Sequence, residues 1–494
     1  MLLPCARVCL FLLLVGTSRA FSRPNGDPVR ISRSLHVAHI APFRALRYDP
    51  VRVPLSQVVT QPYDKITSQM QECYHAASPY NLVRIILGKR HPTDTSAENP
   101  YTRAAGYFRD WRREGIFLQE PEPAIYAYSQ QFAVPGTAAE LTRSGFIALG
   151  RIEDYDAGIV FRHEQTLAKP KADRLELLRA TPAHFGQLFM LYSDPSGEIN
   201  TVLESSSGDP LEVQDEYGVL HRLGRITDPT VISLVRAKMR EKKLIIADGH
   251  HRYETALNYR NERRAMAASA AVGGVPRERS STANILDRGA NVSGDSASPA
   301  YDWVMMTFIN MDSPGLLILP THRLVHGLAS FSADNFKAAA SAYFRVEEGD
   351  PAINATRATN ILREAGQTGT ALLAVTANRA FLLDRPNTGA SSIFAAISPR
   401  QQSLDVVQLH KCVLENVLGL SEETIRDQQN IAYIRDAGEA LEKVRTGAAN
   451  IAFLMNPARI DQVRDIAFAG EVLPQKSTDF YPKLLSGLTI YALE

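Results

Sequence analysis

With 494 residues, 54 Lys and Arg against 53 Asp and Glu, and a net charge of +1, the chain has room for two or three domains and no global attraction to nucleic acid or anionic lipid. Four cysteines, two of them (Cys5 and Cys9) at the extreme N-terminus, exclude a disulfide framework and a cysteine-rich metal site and leave Cys73 and Cys412 as ordinary thiols. Small-molecule chemistry is the function class left standing.

In chain order, residues 1–20 read as a secretory signal peptide: the apolar run Val8 to Val15 is too short to span a bilayer and ends near small residues. The transit-like leader, 21–38, begins at Phe21, and the stretch to Arg47 carries Arg23, Arg30, Arg33, Arg44 and Arg47 with Asp27 as its single acid. This pairing resembles the bipartite leaders of algae with plastids of red secondary origin, which implies a plastid location. Plain secretion is the alternative, in which case the sequons at Asn291 and Asn354 matter. Beyond the leader no apolar run is long enough for a membrane span.

Residues 39–264 alternate strand-like and helix-like stretches, and so do 301–494. The segment between them, 265–300, is rich in Ala, Ser and Gly with few large apolar residues, the composition of a disordered insert. An α/β class follows, with α+β possible. Ala124–Tyr128 and Gly145–Leu149 are aromatic and branched runs that predict strands. Thr227-Asp228-Pro229 predicts a helix start, Lys243–Ala247 a short buried strand, and Tyr253–Arg264 a helix. Asp248 to Arg252 are then a strand-to-helix turn.

Such a turn exposes unpaired backbone N–H groups at the positive end of a helix dipole, a ready anion site. Gly249 allows close backbone approach, Arg252 adds a planar fork for phosphate or carboxylate, and His250 and His251 donate hydrogen bonds or move protons. A bare N-cap at Asp248 with a solvated Arg252 is the competing reading.

Asp248-Gly249-His250-His251-Arg252 resembles the corresponding motif of free serine kinases, in the ParB and sulfiredoxin superfamily, and Arg162-His163-Glu164-Gln165-Thr166 stands where those kinases carry a His-Glu motif. From about His39 the chain also resembles a bacterial and archaeal family of uncharacterised proteins, domain-of-unknown-function family 1015. That likeness rests on Ala41–Ala45, Pro62-Tyr63-Asp64, Asn81–Arg84, His163–Thr166, Asp173-Arg174-Leu175, Asp248–Leu257, Leu319–Leu324 and Pro474–Thr478. It implies a mixed-sheet ParB/sulfiredoxin-like core with additional N- and C-terminal α/β elements, and serine or phosphoserine as substrate. It also implies Glu164 as general base, with His250 and His251 as catalytic partners and ATP or ADP with Mg²⁺ as cofactors. The turn lacks the cysteine that sulfiredoxins carry, which argues against cysteine-sulfinate repair.

Phosphate or substrate contacts are expected from Asp248, Gly249, Arg252, His163, Arg174, His322, Arg323 and Lys476, and a metal contact from Asp64. Asp173 reads as a helix cap, Tyr63-Asp64 as a turn, and Lys483 as a packed loop residue. There is no GxxxxGK[ST] loop, protein-kinase signature or GxGxxG after a strand. The leading expectation is a phosphotransferase on a small hydroxyl substrate. A phosphoserine phosphatase on the same site and a non-catalytic ParB-like nucleotide-binding protein are the alternatives, and the charge balance disfavours DNA as a client.

Overall fold

Trp303–Asn310 is buried at every position, a demand that only a central strand covered on both faces meets. In the computed structural model, which describes residues 37–165, 168–272, 298–387 and 393–493, that strand lies inside a nine-stranded mixed sheet. The order across it is Val160–Phe161, Leu244–Asp248, Leu188–Tyr192, Trp303–Asn310, Glu140–Arg151, Ile125–Ala133, Leu220–Ile226 and Leu211–Gln214, with Ile40–Ala41 also paired to Glu140–Arg151. Two pairings are parallel, Leu244–Asp248 with Val160–Phe161 and Trp303–Asn310 with Leu188–Tyr192. The class is therefore mixed α/β, as expected.

Side chains alternate between two cores, as strand geometry requires. Leu188, Met190, Ile246, Met306 and Phe308 face the helices Glu198–Ser206, Pro229–Met239 and His250–Val272. Phe189, Leu191, Ile245, Met305 and Ile309 face the returning C-terminal chain, whose Phe480, Leu484, Leu485, Leu488 and Tyr491 cover that side. A second sheet of six strands, all antiparallel, is ordered Arg345–Gly349, Ala380–Asp384, Ala371–Val375, Ile451–Met455, His322–Val325, Ile431–Ile434. The chain then returns across the face of the first sheet: Leu473 bridges Glu164, Asp479–Tyr481 pairs with Leu317–Leu319, Ser486 bridges Thr60, and Tyr491–Ala492 pairs with Ala183–His184.

Local expectations largely hold. Asp228 caps the helix that starts at Pro229, accepting the Thr230 N–H at 2.8 Å; Asn354, read from sequence only as a sequon, caps Ala355–Ala365. The Asp248–Arg252 turn contracts to one residue: Asp248 ends its strand, Gly249 takes φ 95°, and the helix runs from His250 to Val272. That helix extends past Arg264 into the segment expected to be disordered. Ala265, Ala267, Ala268, Ala270 and Ala271 are strong helix formers, so a stretch too poor in large apolar side chains for a core still sustains a helix. Residues 273–297 lie outside the described residues, as do 1–36, which hold the expected signal peptide and nearly all of the expected leader. Ala38, placed in the leader by sequence, is buried and donates its N–H to Arg240 O. The 265–300 segment does not separate two sheets, since Trp303–Asn310 pairs on both edges with strands that precede it. Among the described residues no helix is long and apolar enough to cross a membrane.

Strand pairing at the centre is close enough to need glycine. A Cβ on Gly145 would stand 2.1 Å from Phe308 O and 2.6 Å from Ile309 Cδ1. Gly145→Ala should therefore destabilise the fold by about 2 kcal/mol or more, read as a lowered midpoint in chemical denaturation at unchanged slope.

Candidate functional site

The parallel strands Val160–Phe161 and Leu244–Asp248 run in register, Leu244 opposite Val160 and Ile245 opposite Phe161. Their carboxyl ends therefore emerge side by side, where open α/β sheets hold ligands. His163 and Glu164 follow one strand; Gly249, His250, His251 and Arg252 follow the other. All of them except the buried His163 line a cleft of about 400 Å³ that also takes in Asp64, Lys65, Asp215, Arg435, Lys476, Thr478, Asp479 and Lys483.

The helix start supplies donors. Tyr253 N–H bonds to Gly249 O at 2.9 Å and closes the first turn, so the backbone amides that precede it point out of the helix end toward the cleft. A Cβ at Gly249 would lie 3.0 Å from both Arg252 Nη2 and Leu188 Cδ2, and its φ is unfavourable for other residues, so glycine is required twice over.

Asp248 and Arg252 form a pair that faces inward as much as outward. Arg252 Nη2 donates to Asp248 Oδ2 at 2.9 Å and its Nη1 to Gln187 O at 2.6 Å. Lys483 Nζ reaches Asp248 Oδ1 at 3.5 Å and Asp479 Oδ1 at 3.1 Å, and Arg435 Nε reaches Asp479 Oδ2 at 2.5 Å. Burial opposes ionisation of Asp248, but Lys483 and Arg252 outweigh it and hold the carboxyl well below the usual carboxylate range. Burial likewise works against the charge on Lys483, and its two carboxylates reverse that and raise it.

The histidines are neutral. His163 is fully buried; its Nδ1 must donate to Ile246 O at 2.8 Å, which leaves Nε2 to accept the Thr478 hydroxyl at 2.8 Å. Burial pushes the ring down to about 4. His250 turns inward, its ring edge-on to His163 at 4.8 Å, and burial drives it well below the ordinary histidine value. His251, half-buried, stands in the cleft wall, and burial lowers it too. Neutral imidazoles here donate and accept hydrogen bonds without contributing charge.

Glu164 Oε1 accepts the Lys476 N–H at 2.9 Å. Burial raises its carboxyl above the ordinary glutamate value, against the stabilising effect of that N–H. Lys476 adopts φ 57°, which costs a residue with a Cβ about 1 kcal/mol. The conformation is held at both ends, by Glu164 on its N–H and by Arg323 Nη2 on its carbonyl at 3.1 Å. Lys65 and Lys476 make no ion pair among the described residues. Burial and the charge of Lys483 lower the Lys65 ammonium.

Four residues expected to touch phosphate or substrate stand elsewhere, the first of them the fully buried His163. Arg174 is mid-helix in Ala168–Ala180, donates to Ile86 O at 2.6 Å and stacks 4.1 Å over Tyr63, behind the cleft wall. Asp173 is not a cap, since it lies in the same helix and takes Arg174 and Tyr101. His322 is a buried strand residue whose Nδ1 accepts Met455 N–H at 3.3 Å. Arg323 is buried at 1% exposure against Tyr433 and supports the Lys476 loop from beneath. Both follow an apolar run because they belong to a sheet.

Lys483, read from sequence as a packed loop residue, proves central. Its backbone is clamped by fully buried Arg143, which donates to Tyr481 O and Pro482 O at 3.0 and 2.5 Å, and by Gln130, which donates to Lys483 O at 2.8 Å. Lys65 and Asp479 adjoin the Pro62-Tyr63-Asp64 and Pro474–Thr478 words and were within reach of sequence reasoning. Arg435 and Asp215 left no local signal. The described residues hold no group of three or more His, Cys, Asp or Glu able to bind a metal ion.

Among solved structures, a conserved hypothetical protein from Pyrococcus furiosus is similar at 11% identity and TM-score 0.32, over 67% of this chain and 92% of that one. A free serine kinase in complex with AMP is similar at 12% identity and TM-score 0.33, over 67% and 88%. SbnI with a C-terminal truncation, from Staphylococcus aureus, is similar at 8% identity and TM-score 0.31, over 70% and 87%. No curated protein matches the sequence. The family model for the protein of unknown function DUF1015 matches residues 40–407, and the chain belongs to that family.

Proposed function

We propose that this chain is a phosphotransferase that moves a phosphoryl group from ATP or ADP to a small hydroxyl substrate, with free L-serine as the acceptor. One juxtaposition carries the reading: a carboxylate of raised pKa, Glu164, shares a cleft with the open N-terminus of the helix His250–Val272 and with the ammonium groups of Lys65 and Lys476. The order of His163-Glu164 before Asp248–Arg252 supports it through the resemblance to free serine kinases. Phosphoryl transfer asks mainly for positioning and charge neutralisation, which these groups supply. Glu164 takes the acceptor hydroxyl proton as the oxygen attacks the terminal phosphorus; the bond to the bridging oxygen breaks and the nucleotide leaves one phosphate shorter. His251 and the helix amides donate to the phosphate oxygens. Asp64 offers a single carboxylate, so Mg²⁺ would be held chiefly by the nucleotide's own phosphates, neutralising part of their charge.

The mature protein incubated with ATP, ADP or pyrophosphate and a panel of amino acids and small alcohols should produce O-phosphoserine in ³¹P NMR; phosphate release without transfer would mark a hydrolase, and no turnover at all would sink the reading. Glu164→Gln should lower kcat by about a hundredfold or more with the serine KM little changed. Because the base works deprotonated and burial raises its pKa, kcat/KM should rise with pH through a limb above the ordinary glutamate value of about 4.3, and that limb should vanish in Glu164→Gln. Lys65→Ala should raise the nucleotide KM by about tenfold with a smaller effect on kcat.

A further inference from the structure

A second cavity, of about 830 Å³, shares the 473–478 segment with the cleft: Leu473 and Ser477 line it, as Lys476 and Thr478 line the cleft, and Thr321 lines both. Its wall is apolar at Leu319, Leu362, Leu404 and Leu454. Three arginines, Arg323, Arg363 and Arg459, and one carboxylate, Asp405, interrupt that wall. Asp405 accepts from the Thr370 hydroxyl and the Ala371 N–H and makes no ion pair among the described residues. Arg459, at the start of the helix Ile460–Phe468, lies close enough for its charge to act on Asp405 but pairs with Asp461 instead, at 3.2 Å. Burial raises the Asp405 carboxyl to about 7, so a cationic partner would recover the cost of ionising it.

A carboxylate and a guanidinium set apart along one apolar wall are complementary to a molecule carrying an ammonium, a carboxylate and an apolar body. We infer that this cavity binds an α-amino acid with an apolar side chain, its ammonium on Asp405 and its carboxylate on Arg459, as a ligand separate from the acceptor in the cleft. The site has a short route to the proposed base. Arg323, in the cavity wall, donates to Lys476 O, and the Lys476 N–H donates to Glu164. Arg323 thus connects the cavity wall to Glu164 through two hydrogen bonds.

Calorimetric titration of the full chain with L-leucine, without nucleotide, tests this independently of phosphoryl transfer. Saturable binding is expected, weakened by at least about tenfold in Asp405→Asn and again in Arg459→Gln, each removing one charge-assisted contact. Isocaproate and isoamylamine, which each lack one of leucine's charged groups, should bind at least about tenfold more weakly to the unaltered protein, a comparison that needs no variant to fold. Absent heat with L-leucine, equal binding of either analogue, or loss of binding in Glu164→Gln with none in Asp405→Asn would each overturn the assignment.

Discussion

Lys483 buries its ammonium between Asp248 and Asp479, and the geometry of the cleft depends on that contact. It ties the segment 479–483 to the strand end at Asp248, and removing it would leave Asp248 with Arg252 and Asp479 with Arg435 as their remaining cationic partners among the described residues. The clamp of Arg143 and Gln130 on the carbonyls of residues 481–483 fixes the lysine from the backbone side. Among the described residues Arg143 itself has no carboxylate partner; it is satisfied by carbonyls, by Gln130 and by the face of Phe189 at 4.6 Å, and burial brings it down to about 10. The sheet thus spends a buried cation on holding a loop.

Around that anchor the polar groups divide by environment. Asp248, compensated by cations, stays ionised and orients Lys483 and Arg252, whereas Glu164, compensated mainly by one N–H, has its proton affinity raised. Two carboxylates in one cleft are pushed in opposite directions, the arrangement by which proteins separate a structural charge from a proton acceptor. His163 links the two strand ends without charge, and its acceptor nitrogen orients Thr478 at the cleft wall.

The sequence made the two halves of the motif legible, because each follows a short apolar strand and the Asp-Gly step announces a helix start. It misread His322 and Arg323 because a charged residue at the end of an apolar run looks the same whether it faces a ligand or props a loop, and Arg174 because a helical arginine looks the same whether it reaches a ligand or a neighbouring element. Only burial and partners separate the cases: Arg174 stacks on Tyr63, and Arg323 holds the Lys476 carbonyl. Lys483 was missed for the converse reason, since nothing local to Tyr481-Pro482-Lys483 reveals two carboxylates contributed by other segments.

By itself the sequence determined the mixed α/β class, the strand and helix that flank Asp248 and the need for glycine at 249. Those properties reside in short-range periodicity, capping and backbone conformation, which a stretch of chain carries with it. The tertiary structure alone decided that His163 and Glu164 stand beside Gly249, through the parallel pairing of their strands, and that the C-terminal segment brings Lys476, Thr478, Asp479 and Lys483 to the same cleft. Contacts between residues hundreds of positions apart depend on sheet register and on which buried charges find partners, and neither is written in any local stretch of the chain.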